Sequence, residues 1–238
     1  MKIQKNYFLL LGGILASIAF FLVLVITAFE IATYADMNFY KARYEKYEVL
    51  TDLQMEMEDV MDVTRHMMAY LRGNKEELQI QTVVDGEIVD FFNTREILHM
   101  EDVMHLFIGG LIIRYLSLGV VAVVLLILAL QKKEFVYQLL KIFQITLAVI
   151  IGILVTLVAL FAMNFTKYFT IFHEIFFSND LWLLNPATDK LINLLPEGFF
   201  IDMGARISVI FAVCCIGSFV IVGIARRVIR IRKTNKTN

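Results

Sequence analysis

Two stretches of this 238-residue chain set histidine among acids and aromatic rings. The first, TREILHMEDVMHL, spaces Glu96, His99, Asp102 and His105 three residues apart. On a helix that spacing drifts slowly around one face. The second, FHEIFFSNDLW, sets His173 among Phe172, Phe176 and Phe177, with Asn179 and Trp182 following. Three chemistries fit such residues. They can form a solvated charged face. They can ligate a metal, since E-x-x-H recurs in di-metal helix bundles. Or two imidazoles at one site can pass protons near neutral pH. The bundles use their motif on two separate helices, whereas here it is confined to one stretch, and neither HExxH nor a spaced Cys pair is present. No metal and no cofactor are therefore expected. Nor is a familiar nucleophile present: there is no G-x-S-x-G, and Cys214, Cys215 and Ser218 lie in an apolar run. If the chain is an enzyme, the attacking group is expected to come from substrate or water.

The elements that must position these residues follow from composition. Hydrophobic residues make up 59% of the chain and mean hydropathy is +0.71. Charged residues, at 19%, fall below the roughly 25% usual in soluble domains. The expected class is an α-helical integral membrane protein. Crossing the hydrocarbon takes about 20 apolar residues. Four segments qualify as transmembrane helices: 6–29, 106–130, 142–166 and 207–225, the second with Arg114 inside it. The first run is longer than a signal-peptide core and reads as an uncleaved anchor.

Four spans put both termini on one side. Lys2, Lys5, Lys132, Lys133, Lys141 and the basic residues of 226–236 share that side with a single acid, Glu134. Basic enrichment marks the cytoplasmic face, so both termini and the loop 131–141 are expected there. The tail reads as a topology signal beside anionic lipid, with no nucleic acid as partner. Segments 30–105 and 167–206 then face outward as one small cap on a single membrane domain.

Segment 30–105 is short for an independent domain without a disulfide, so the cap is expected to rest on the membrane or on the second segment. Val60, Val63, Met67 and Leu71 recur at helical spacing, with Gly73 as a stop. Segments 78–84 and 87–92 flank Asp85-Gly86, a strong hairpin signal. Asn93 with Glu96 reads as a capping box that starts a helix through His99 into the second span. At 1.5 Å per residue His99 then stands roughly 10 Å before Leu106, at the depth of the membrane–water boundary. Segment 167–206 is dense in Phe, Trp and Tyr, as interfacial belts are. A belt does not explain His173, Asn179, Asp180 and Asp189 among them, since polar groups there need partners or a role.

At TREILHMEDVMHLF and FHEIFFSNDLWLLNPATDKLINLLPEGFF the chain resembles the lipoprotein intramolecular transacylases of Gram-positive bacteria. The resemblance implies four transmembrane helices under an extracellular cap. It implies transfer of the sn-2 acyl chain of the diacylglyceryl group onto the α-amine of the lipoprotein's N-terminal cysteine. The family's two catalytic histidines look like His99 and His173; His66 and His105 fall outside the motif positions. One imidazole would act as base toward the amine. The other would protonate the departing oxygen or hold the oxyanion. Glu96 or Asp102 would orient His99, with Asn179 supporting. Phe172, Phe176, Phe177 and Trp182 would form the pocket. Arg114 snorkels to the outer face or binds a headgroup phosphate or carbonyl oxygen.

The expected partners are a diacylglyceryl-modified lipoprotein and membrane lipid, and the expected state is a monomer. Two other functions fit the residues: a membrane lipid or lipoprotein ester hydrolase using the same histidines on water, and a non-enzymatic envelope sensor or partner-binding protein. Transfer conserves the lipoprotein's mass, whereas hydrolysis releases a fatty acid.

Overall fold

The computed structural model describes residues 2–234. Of the basic residues that set the expected orientation, Lys236 lies outside the described residues, as do the side chains of Lys2, Lys5, Arg232 and Lys233. Among the described residues four helices are long and apolar enough to cross a bilayer: α1 (Lys2–Tyr34), α5 (Thr94–Leu130), α6 (Lys133–Met163) and α9 (Glu197–Thr234). All four are longer than the apolar segments that mark them. The expected loop 131–141 shrinks to two residues, because α6 begins at Lys133. Nothing in KKEFVYQLLK breaks a helix, so the backbone keeps its bonds past the apolar edge. Helix α6 also stops earlier than expected, at Met163. Asn164 ends it and caps α7 (Phe165–Phe176), its Oδ1 accepting from the Lys167 amide at 3.1 Å.

The chain divides into two compact units. One holds residues up to Phe29, Ile112–Ala159 and the chain from Ser208. Its buried cluster is Ala28, Phe211 and Cys215, with Phe21, Val25 and Ile151 packed against it. Gly13 lets α1 and α6 approach: a Cβ there would stand 2.7 Å from Ile142 Cγ2. Leu116, Val123, Val155, Val213 and Ile216 stay exposed on these helices, as lipid-facing residues do. Arg226 bonds Gln144 and lies 5.0 Å over the Tyr137 ring.

The other unit comprises Glu30–Leu111 and Leu160–Ile207. The two segments between the apolar runs thus fold with one another. In chain order its elements are the end of α1, α2 (Asn38–Lys46), α3 (Val49–Leu53), α4 (Met57–Leu71), β1 (Gln81–Val84), β2 (Glu87–Asp90), the start of α5, the end of α6, α7, α8 (Lys190–Leu194) and the start of α9. Val60, Val63, Met67 and Leu71 are buried on α4, as their period requires. The helix is followed by Gly73 at φ 76°. Strands β1 and β2 pair antiparallel with Val84 opposite Glu87, and Asp85 and Gly86 both take positive φ in the turn. Phe91, Phe92, Tyr40, Tyr44 and Leu194 complete the core. Asp202 ties α9 to α2: it forms an ion pair with Arg43 Nε at 2.6 Å and accepts from Lys46 Nζ at 2.8 Å and the neighbouring Tyr47 hydroxyl at 3.0 Å.

Candidate active site

The start of α5 is built as the capping box predicts. The Asn93 amide donates to Glu96 Oε2 at 2.7 Å, and the Glu96 amide donates to Asn93 Oδ1 at 3.0 Å. Glu96 is fully buried and its other oxygen accepts from the Leu191 amide at 2.5 Å. Asn93 reaches Asp189 Oδ1 at 2.8 Å, and Asp189 Oδ2 accepts from the Asn185 amide at 2.6 Å. These bonds join the first turn of α5 to the 185–191 segment and fix how His99, one turn on, is presented.

His99 and His173 come together. Their ring centroids lie 6.1 Å apart with the planes tilted by 36°. Both are buried, at 6% and 7% exposure, although one comes from α5 and the other from α7. Phe177 closes the pair, 5.3 Å from His99 and 5.5 Å from His173. Trp182 stacks on His173 at 4.9 Å, and Phe169 meets it edge-on at 4.3 Å. Phe172 stands 5.4 Å from the same ring. Phe176 packs on Phe172 and is half exposed.

The two imidazoles differ in their bonding. His173 Nδ1 lies 2.7 Å from the Phe169 carbonyl. A carbonyl only accepts, so the proton sits on Nδ1 and neutral His173 carries its lone pair on Nε2. Burial holds the His173 pKa below the ordinary histidine value, partly offset by the Phe169 bond, which favours the charged form. His99 Nδ1 is buried with no hydrogen-bond partner among the described residues. A positive charge on one ring disfavours a second on the other at this separation.

Glu96 and Asp102, expected to accept a ring N–H from His99, bond other groups in the structure. Glu96 spends both oxygens on the Asn93 and Leu191 amides. Asp102 Oδ2 instead accepts from Asn179 Nδ2 at 2.8 Å. Glu96 thus holds two backbone amides and Asp102 one side-chain amide. Asn179 in turn accepts the Trp182 indole N–H on its carbonyl at 3.0 Å. Arg114 belongs to the other unit, with its guanidinium 4.9 Å over the Tyr115 ring. His105 is exposed, and His66 lies 3.0 Å from the Glu77 carbonyl. Among the described residues no group of three or more His, Cys, Asp or Glu side chains gathers as metal ligands. Two site features escaped the sequence reading. Phe169 supplies both a ring and a carbonyl to His173, and its signal was the spacing of four residues on one helix. Arg95 bonds the Asp180 carbonyl, a contact between distant segments that left no local signal.

Trp182→Ala removes the ring stacked on His173 from a surface turn. We expect the single-turnover rate to fall roughly tenfold or more, about 1.4 kcal/mol in the barrier, at an almost unchanged melting temperature. A lowered melting temperature with an unchanged rate would return Trp182 to an interfacial belt.

Four helices of bilayer length among the described residues define a membrane-integral protein, and its candidate site holds two buried imidazoles enclosed by aromatic rings. The profile of the lipoprotein intramolecular transacylase Lit matches residues 14–200. This chain belongs to the lipoprotein intramolecular transacylase family, membrane acyltransferases that act within a lipoprotein. Among solved structures it is similar to the membrane-integral lipoprotein intramolecular transacylase Lit from Bacillus cereus, at 18% identity and a TM-score of 0.73, over 94% of this chain and 99% of that one. A variant of the same protein with a histidine-to-alanine substitution gives a TM-score of 0.70 at 18% identity over 98% of each chain. No curated protein sequence matches.

Proposed function

We propose that His173 and His99 catalyse movement of the sn-2 acyl chain of a diacylglyceryl-cysteine to that cysteine's own α-amine. The observation that carries this reading is the meeting of two buried imidazoles, 6.1 Å apart, from separate segments. The amine is the nucleophile, which accounts for a site built without an activated side chain. Its ordinary pKa is about 8. As it attacks the sn-2 carbonyl carbon, His173 Nε2 takes its proton, because Nδ1 is committed to Phe169. An N–H of His99 holds the oxyanion. The ester C–O bond then breaks, and His173 returns the proton to the departing glyceryl oxygen. An amide and a free sn-2 hydroxyl result, with no net proton gained or lost. One imidazolium at a time suffices, in keeping with the buried pair. The rings of Phe172, Phe177 and Trp182 confine ester and amine together and exclude water.

The site is read as lying at the extracellular boundary of the cell membrane, with both termini cytoplasmic, on the basic asymmetry of the connecting segments. Segments 30–105 and 167–206 are read as the cap of a single membrane domain. The enzyme acts as a monomer on its lipoprotein, with membrane lipid around it. Arg114, in the second apolar segment, is read as a contact for a lipid headgroup. Mass spectrometry of a lipoprotein's N-terminal peptide, with and without this protein, tests the reaction. Transfer moves one acyl chain at constant mass. Loss of one acyl chain as free fatty acid would establish hydrolysis instead. Unchanged peptides would favour the binding-protein reading.

A pH dependence follows from the same geometry. Burial depresses the His173 pKa, so neutral Nε2 remains available down to pH values below the ordinary 6.5. The imidazole ¹⁵N shifts of His173 should titrate with a midpoint below 6.5. Below pH 6.5 the unfolded chain binds a proton that folded His173 resists, so its contribution to stability falls as pH falls. A midpoint at or above 6.5 would contradict the buried environment described.

A further inference from the structure

On α5, Arg95, His99 and Asp102 follow at spacings of four and three and share one face. The two outer members each grip the 177–189 turn. Arg95 bonds the Asp180 carbonyl and lies 3.6 Å from its carboxylate, while Asp102 accepts from Asn179 at 2.8 Å. Two consecutive turn residues are therefore tied to the helix on either side of His99. The tie continues inward. Asn179 Oδ1 accepts from the Leu181 amide at 3.1 Å, its carbonyl accepts the Trp182 indole N–H at 3.0 Å, and Trp182 stacks on His173 at 4.9 Å. A run of bonds thus joins Asp102, beside one imidazole, to the face of the other. Asn179 is exposed and Asp180 is 78% exposed. Exposed polar pairs of this kind add little to folding stability, so holding Trp182 in place is the larger consequence of these bonds.

We propose that Asp102 and Asn179 are positioning residues that hold the Trp182 turn over the imidazole pair and so decide whether the acyl group goes to the amine or to water. This rests on the acyl-transfer reading of the site. In both reactions the same ester C–O bond breaks and the same base serves. In transfer, the amine nitrogen bonds the acyl carbon. In hydrolysis, water oxygen bonds it, the glyceryl oxygen takes one proton, and the fatty acid departs with the other until it ionises. A loosened turn admits the competing nucleophile without removing either histidine.

The test uses the full-length enzyme and a diacylglyceryl-modified lipoprotein peptide. Mass spectrometry counts lyso-form peptide and free fatty acid from one reaction. In Asp102→Ala and Asn179→Ala the ratio of fatty acid to lyso form should rise roughly tenfold or more, the order expected when a reacting geometry is loosened. Asn179→Asp alone sets carboxylate against carboxylate and should do the same. Combining D102N with N179D rebuilds an amide–carboxylate bond in reverse and should return the ratio to that of the parent. If the single variants lose both products in proportion, the residues serve the fold alone and the proposal is overturned. Failure of the exchange to restore the ratio overturns it as well. A parent enzyme that yields fatty acid and no lyso form would overturn the acyl-transfer reading itself. A transferring parent with unchanged ratios in the variants would overturn only this inference.

Discussion

His173→Ala should lower lyso-form production by roughly 10²–10⁴-fold, the usual contribution of a positioned acid–base group, while folded protein still accumulates in the membrane. The side chain lost is the one whose tautomer the Phe169 carbonyl sets, and it is the base of the proposed mechanism. His99→Ala should fall in the same range if its N–H holds the oxyanion, since deleting one such donor costs about 10²–10³ in rate. The double variant should be little worse than the more damaged single one, because residues that act as a unit are not additive. His66→Ala and His105→Ala serve as controls. His66 lies against the Glu77 carbonyl and His105 is exposed, so both should stay near parental rates. The check is single-turnover mass spectrometry on purified enzyme. A near-parental rate for either His99→Ala or His173→Ala would end the paired-histidine mechanism.

Glu96→Ala should bring the largest loss of stability among the site substitutions. Glu96 is fully buried and accepts from two backbone amides, those of Asn93 and Leu191. Truncation leaves both N–H groups without an acceptor at about 1–3 kcal/mol each. It also frees the 185–191 segment from the start of α5. Glu96→Gln is a sharper test. Its amide offers one oxygen, so one of the two N–H groups would face an NH₂ donor. We expect it to lower the melting temperature nearly as much as Ala does. Activity should fall with the loss of folded protein, and the rate per folded molecule should drop less than in His173→Ala. A parental melting temperature in both variants would show that Glu96 is not the clamp described.

Much of the fold is legible in local sequence. The four long apolar runs identify the spans because a bilayer demands a fixed length of uncharged helix. The α4 core face follows from the period of Val60, Val63, Met67 and Leu71, and the hairpin from Asp85-Gly86. The capping box at Asn93 and Glu96 is a matter of spacing, so it too was readable. Helix ends were read less well: the apolar edge of a run says where lipid stops, and nothing there obliges the helix to stop with it.

The sequence by itself determined which residue types were available for the proposed chemistry. His99 and His173 stood out because each sits at a motif position beside a span. What they do for one another was decided only by tertiary structure. The pair exists because segments some 70 residues apart in the chain fold into one unit, and the bonds between them are long-range. Glu96 is the clearest case. Its position three residues before His99 suggested a partner for the imidazole, yet burial against Leu191 turned its carboxylate toward two amides that had no other acceptor. Asp102 likewise went to Asn179 rather than to the ring beside it. A buried carboxylate takes the donors that most need an acceptor, and only the packed fold decides which donors those are.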